Sequence, residues 1–124
     1  LRRGSAKPSI ERYMVERLRS LHQWRLYAPG VAEAARRLLG PDTRVYVVGG
    51  AAEDRLTVLS DIDIVVVTPR APRGPERHRL AIRIREEAVE HHGVPWDYPL
   101  DIHVMTPEEF EEARRRYYRR VVEV

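Results

Sequence analysis

The stretch Ser60-Asp61-Ile62-Asp63-Ile64-Val65-Val66-Val67 constrains the fold more than any other part of the chain. Its run from Ile62 to Val67 has the length of a strand and is interrupted once, by Asp63. Branched Ile and Val side chains suit a pleated, enclosed surface, so Asp61 to Thr68 is predicted as a buried strand. The run is far short of the roughly 20 apolar residues that a membrane-spanning helix needs. In an extended chain, residues two apart share a side and lie about 6.6 Å apart. Asp61 and Asp63 therefore present two carboxylates on one face, beside a strand too apolar to want them.

Around this strand the hydrophobic period changes. From Pro8 to Trp24 the residues Ile10, Met14, Leu18 and Leu21 recur at three- and four-residue steps, which predicts a helix with one buried stripe, capped by Ser9. The stripe reads as core, or as a surface shared between two subunits. Ala28-Pro29-Gly30 breaks the pattern, and Val31 to Leu39 forms a second short helix closed by Gly40-Pro41. Arg44 to Val48 is a strand ending in Gly49-Gly50, and Ala51 to Leu59 is a turn or short helix. Pro69 to Pro75 is a loop. A helix from Glu76 to about His92 turns Leu80, Ile82, Ile84 and Ala88 inward, and Leu100 to Met105 is a third strand. Thr106-Pro107-Glu108-Glu109 is a strong helix start. The order helix, helix, strand, turn or short helix, strand, helix, strand, helix predicts an α/β (α+β) domain: a small mixed β-sheet flanked by helices.

At 124 residues, with 43% hydrophobic and 33% charged residues, the chain suits one packed domain rather than two cores or a disordered segment. It has no cysteine, which excludes disulfides, thiolate metal sites and cysteine nucleophiles. Residues Leu1 to Ile10 include basic residues with no apolar stretch behind them, so no secretory leader is expected and a cytoplasmic setting is. The net charge is +3, a mild basic bias. Among its basic residues only Lys7 is a lysine, and arginine is the better two-point ligand for phosphate and carboxylate.

Three features occur in order along the strands: Gly49-Gly50 after the first, Asp61 and Asp63 at the second, and Asp101 at the third. If the third strand neighbours the second, Asp101 joins the same side. Three clustered carboxylates repel one another, and Mg²⁺, satisfied by carboxylates, waters and phosphate oxygens, is the simplest remedy. A glycine pair at a strand end lets backbone N–H groups close on an anion. The alternative for Asp61 and Asp63 is a capped loop before a buried strand. A haloacid-dehalogenase-like Asp-x-Asp fits less well, because that motif follows its apolar strand and here the valines come after.

With its Gly49-Gly50, its Ser60-Asp61-Ile62-Asp63 followed by three valines, and its Asp101 in Pro99-Leu100-Asp101-Ile102-His103-Val104, the chain resembles the DNA polymerase β-type nucleotidyltransferase superfamily. Its size points to the minimal prokaryotic group. The resemblance covers roughly Arg44 to Glu112 and implies a nucleotidyltransferase-type fold over 1–124. Helices would occupy 1–40, a catalytic core 41–114 and a basic C-terminal tail 115–124. It also implies an enzyme moving a nucleotidyl group, AMP from ATP or from another NTP as donor, with two Mg²⁺ ions. Asp61 and Asp63 would hold both ions, and Asp101 would share one and orient the acceptor hydroxyl. Gly49, Gly50, Ser60 and Arg55 would serve the nucleotide, with Ser60 capping the turn that orients the carboxylates. Gly50 replaces the serine usual in the family, and Glu53-Asp54 replaces a usual Arg-Gly. These departures leave a second reading open, an antitoxin-like module acting by contact.

The resemblance further implies a partner, either a second copy or a small helical toxin protein. No membrane is expected, and an RNA acceptor is open but not preferred. Arg114 to Arg120, with Tyr117 and Tyr118 inside, could grip phosphates and stack on bases; more often such a run is a solvated helix end or tail, and Tyr117, Tyr118, Val121 and Val122 also offer apolar contact to a partner. His103 shares the strand face of Asp101 by period two and could reach the site, but reads first as a structural or partly exposed histidine. His91 and His92 read as helix-end residues, and the Arg85 to His91 spacing is discounted.

Overall fold

The computed structural model describes residues 9–124. Lys7 and the expected helix start at Pro8 lie outside the described residues. The elements are α1 (Ile10–Leu21), α2 (Trp24–Leu39), β1 (Arg44–Val48), α3 (Gly49–Ala52), β2 (Ile62–Val67), α4 (Pro75–His91), β3 (Leu100–Met105), α5 (Pro107–Arg116) and β4 (Val122–Glu123). Ser9 caps α1, its hydroxyl accepting from the Arg12 N–H at 3.0 Å. Thr106 and Glu109 form a reciprocal capping box at α5, as the sequence pattern predicts.

One mixed sheet has the order β3-β2-β1-β4. β1 runs antiparallel to β2 and to β4, whereas β2 and β3 are parallel and joined through α4. Alternation along the strands divides the side chains between two faces. Val45, Val47, Ile62, Ile64, Val66, Leu100 and Val104 meet Leu21, Trp24, the alanines of α2, and Leu80, Ile84 and Ala88 of α4 in the main core. On the other face Tyr46, Val48, Val65 and Val67 pack against Phe110 of α5, with Tyr118 and Val121 at the margin. Each fully buried Ile or Val there contributes about 1.5–3 kcal/mol of transfer free energy. Asp63 therefore sits where the second face is no longer covered by α5. Among the described residues no helix is long and apolar enough to cross a membrane.

Four expectations are corrected. α2 does not stop at Pro29: it begins at Trp24 and continues through Pro29 and Gly30 to Leu39. Proline removes one helical hydrogen bond, but Trp24, Ala28, Val31, Ala32 and Ala35 form one buried helical stripe across the break. Gly30 is needed because a Cβ there would lie 2.7 Å from the His92 carbonyl oxygen, where α2 crosses the end of α4. In α1 the predicted buried stripe holds only at its C-terminal end: Leu21 is buried and Leu18 packs on the core, but Ile10 is 69% exposed and Met14 44%. On α4, Ile82 points outward while Leu80, Ile84 and Ala88 point in. Finally, residues 115–124 are not a free tail. Val122 pairs with Val47, Arg44 grips Glu123 through two bonds of 2.8 Å, and Arg36 donates to the Val124 carbonyl at 2.8 Å.

Candidate active site

The site forms where β1 ends and β2 and β3 begin. Asp63 lies directly opposite Asp101 across the parallel pair, and opposite Val48 across the antiparallel one. Two residues further along the same face, His103 brings its Nε2 to 3.2 Å from Asp101 Oδ2 and 3.9 Å from Asp63 Oδ1. One ligand atom from each of these three residues falls within 4.8 Å of the other two. The pairing of β3 beside β2, on which the role of Asp101 depended, is thus present. Asp61 stands just before β2, exposed, and is not in this close group.

His103 was undervalued from sequence. Its imidazole is held above the ordinary histidine range, first by the Asp63 carboxylate and then by the charge of Asp101, with burial opposing. Asp101 is the nearer group, but the Asp63 side chain is 35% exposed against 51%, so water screens it less. The signal for His103 was the Asp-x-His spacing on a strand, which turns both side chains to one side. Tyr118, also missed, has its phenol raised by burial and then by the negative charges of Asp63 and Asp101.

The two glycines play different parts. Gly49 has φ +67°, and a Cβ on it would lie 2.6 Å from Asp63 Oδ2. The carboxylate occupies the space that only glycine leaves. Gly50 needs no left-handed backbone, and a Cβ there would meet the Arg55 carbonyl oxygen at an ordinary 3.5 Å. Room for a side chain therefore exists at Gly50.

Between α3 and β2, Ser60 closes a turn: its hydroxyl accepts from the Thr57 N–H at 2.9 Å, and its own N–H donates to the Thr57 carbonyl at 3.0 Å. Arg17 of α1 donates to the carbonyls of Val58 and Ser60 at 2.5 and 3.2 Å, so the N-terminal helix holds the approach to Asp61. At the end of α3, Glu53 is paired with Arg55 at 2.9 Å and accepts from the Arg119 N–H at 3.2 Å. Its carboxyl is pulled below the usual range chiefly by the Arg55 hydrogen bond. Asp54 is exposed with φ 59°. Arg55 thus lies beside an acid that already engages it, in an open cleft of about 610 Å³ with Glu53, Tyr117, Arg119 and Arg120. Arg85, by contrast, is structural: it donates to the carbonyls of Tyr98 and Leu100 and fixes the start of β3.

Comparison with known proteins bears on the family and the fold. The sequence pattern of the nucleotidyltransferase domain family matches residues 29–123. The fold is similar to a crystal structure of a candidate nucleotidyltransferase, with a TM-score of 0.54 and 20% identity over 77% of this chain and 95% of that one. A candidate nucleotidyltransferase from Sulfolobus solfataricus superposes with a TM-score of 0.50 and 18% identity, over 97% of this chain and 88% of that one. No curated protein sequence matches the chain significantly.

Proposed function

The chain belongs to the nucleotidyltransferase domain family, and from that premise we propose that it transfers a nucleotidyl group, AMP from ATP, to an acceptor hydroxyl on a protein. The observation that carries this reading is the juxtaposition of Asp63 and Asp101 across β2 and β3 on a face that α5 leaves open. Two carboxylates with ligand atoms this close fit a hard divalent cation, so Mg²⁺ suits the donor set. Asp63 and Asp101, joined by Asp61, would hold two such ions, which supply neutralisation of the phosphate charge and of the departing pyrophosphate. In the reaction the acceptor oxygen attacks the α-phosphorus, the bond to pyrophosphate breaks, and the hydroxyl proton passes to the Asp101 carboxylate and from there to water.

Asp101 orients the acceptor hydroxyl and is itself steadied by His103 at 3.2 Å. Gly49 keeps the Asp63 carboxylate against the backbone. Ser60 and Arg17 set the turn that delivers Asp61. The two family departures bear less on this reading than their charge suggests. Glu53 is occupied by Arg55 and by the Arg119 backbone rather than directed at a phosphate, and Gly50 leaves backbone donors in place. The acceptor side is completed by a partner, a second copy or a small helical protein of toxin type. Ile10, Tyr13, Met14 and Val15 of α1, all exposed, support such an interface.

Labelled ATP, Mg²⁺ and cell extract test the proposal. The wild-type protein should transfer label to an acceptor, and Asp63→Asn should lose at least about a hundredfold of the rate. Absence of transfer to any acceptor, together with absence of ATP binding in calorimetry, would overturn it.

A further inference from the structure

The basic run Arg114 to Arg120 is divided by the fold. Arg115 and Arg116 end α5 and are paired with Glu112 at 2.6 and 3.1 Å. Arg119 and Arg120 line the cleft next to α3, and among the described residues neither guanidinium has an acidic partner within 4.0 Å. Tyr117, 68% exposed, lines the same cleft. Three independent contacts hold this segment there. Glu53, with a side chain only 11% exposed, accepts the Arg119 N–H; Val122 pairs with Val47; and Arg44 grips Glu123.

The cleft and the carboxylates share one short element. α3 starts at Gly49, against Asp63, and leads into Glu53 at the cleft, four residues or about 6 Å later along a helix. Tyr118 continues from the cleft-lining Tyr117 into the packing beside Val48 and Val65. The cleft is thus reached one helical turn from the Gly49 end that abuts Asp63.

We propose that the segment Tyr117–Arg120 forms the nucleotide-binding wall of this site: Arg119 and Arg120 hold the polyphosphate of a nucleoside triphosphate, and Tyr117 stacks on its base. The inference rests on the nucleotidyl-transfer reading and deepens it. It assigns to the end of the chain the cationic role that the loop after Gly50 cannot fill, because Glu53 spends its charge on Arg55. Two guanidiniums without acidic partners and one exposed aromatic ring around a cleft of about 610 Å³ match a single nucleotide. A polynucleotide track needs a longer groove with repeated cations and stacking rings.

Calorimetric titration of the full chain tests it with three probes in Mg²⁺ buffer: ATP, tripolyphosphate and a short single-stranded RNA. Replacing Arg119 and Arg120 together by Gln should weaken both ATP and tripolyphosphate about a hundredfold, roughly tenfold for each charge-assisted bond lost. Tyr117→Ala should weaken ATP about tenfold and leave tripolyphosphate unchanged. Arg115→Gln, outside the cleft, should bind as wild type does. The side chains replaced are exposed, so melting temperatures should be preserved. Wild-type ATP binding that survives the double substitution to within about twofold overturns this inference and leaves the transfer reading intact. RNA binding that needs Arg119 and Arg120 without matching ATP binding overturns the nucleotide assignment in favour of a nucleic acid. Failure of the wild type to bind ATP overturns both.

Discussion

Gly49→Ala should separate a glycine needed for the site from one that merely follows it. At φ +67° an L-residue pays about 1–2 kcal/mol for the left-handed backbone. The new Cβ would also lie 2.6 Å from Asp63 Oδ2, where ordinary contact begins at 3.4 Å, so the carboxylate must retreat by about 0.8 Å. Driving Asp63 off its rotamer costs about 0.5–1.5 kcal/mol more. Stiffening the unfolded chain returns about 0.4–1 kcal/mol. The net loss is about 0.5–3 kcal/mol, centred near 2, and at about 4 °C per kcal/mol for a domain of this size the melting temperature should fall by roughly 2–12 °C. Gly50→Ala carries neither penalty and should melt at or slightly above wild type. Gly50→Ser should be tolerated in the same way, because its nearest neighbour would be the Arg55 carbonyl at 3.5 Å. Scanning calorimetry measures all three, and Mn²⁺ titration should show weakened metal binding only for Gly49→Ala. The reasoning fails if Gly49→Ala melts within about 2 °C of wild type, or if Gly50→Ala falls as far.

Tyr98→Phe removes a buried hydroxyl that donates to the Ser20 and Leu21 carbonyls at 2.9 and 3.2 Å, and should cost about 1–3 kcal/mol. The urea midpoint should drop without a change in the slope of the transition. Glu109 is held below the usual carboxylate range by the Thr106 N–H and then by Arg77, so its contribution is complete above the unfolded carboxyl value and disappears as pH falls through the lower folded one. Glu109→Gln should therefore melt below wild type at neutral pH, with the gap closing below about pH 4. His103→Gln removes the imidazole that steadies Asp101 at 3.2 Å and should lower the transfer rate about tenfold with ATP binding in calorimetry unchanged; a rate within about twofold of wild type would refute that role.

The parts of the fold that were legible in sequence are those where local pattern and tertiary packing agree. Ile62 to Val67 combines strand propensity with a place in the middle of the sheet, and Thr106 with Glu109 forms its cap from residues three apart. Pro29 misled because local rules count the hydrogen bond it removes. They do not count the buried stripe from Trp24 to Ala35, which carries the helix past it. Ile10 and Met14 have the spacing of a buried stripe, yet spacing cannot say what lies opposite, and the core reaches only Leu18 and Leu21. β4 is two residues long, too short for any periodicity to announce it.

The same distinction governs the site. Asp63 and Asp101 could be suspected from strand order, because the parallel pairing of neighbouring strands sets them opposite by register alone. His103 needed one further step: its partner two residues back had to face a second carboxylate rather than solvent, a fact about β2 rather than β3. Glu53 inverts the lesson. As a charge in a list it argued against a phosphate site. As a side chain folded under Arg55 and the Arg119 backbone, it is one of the three contacts that hold residues 117–124 at the cleft. A negative charge can thus serve an anion site when it is spent on placing cations rather than on meeting the anion. By that logic, moving Glu53 would harm the site more than neutralising it in place, where the hydrogen bond to Arg119 survives.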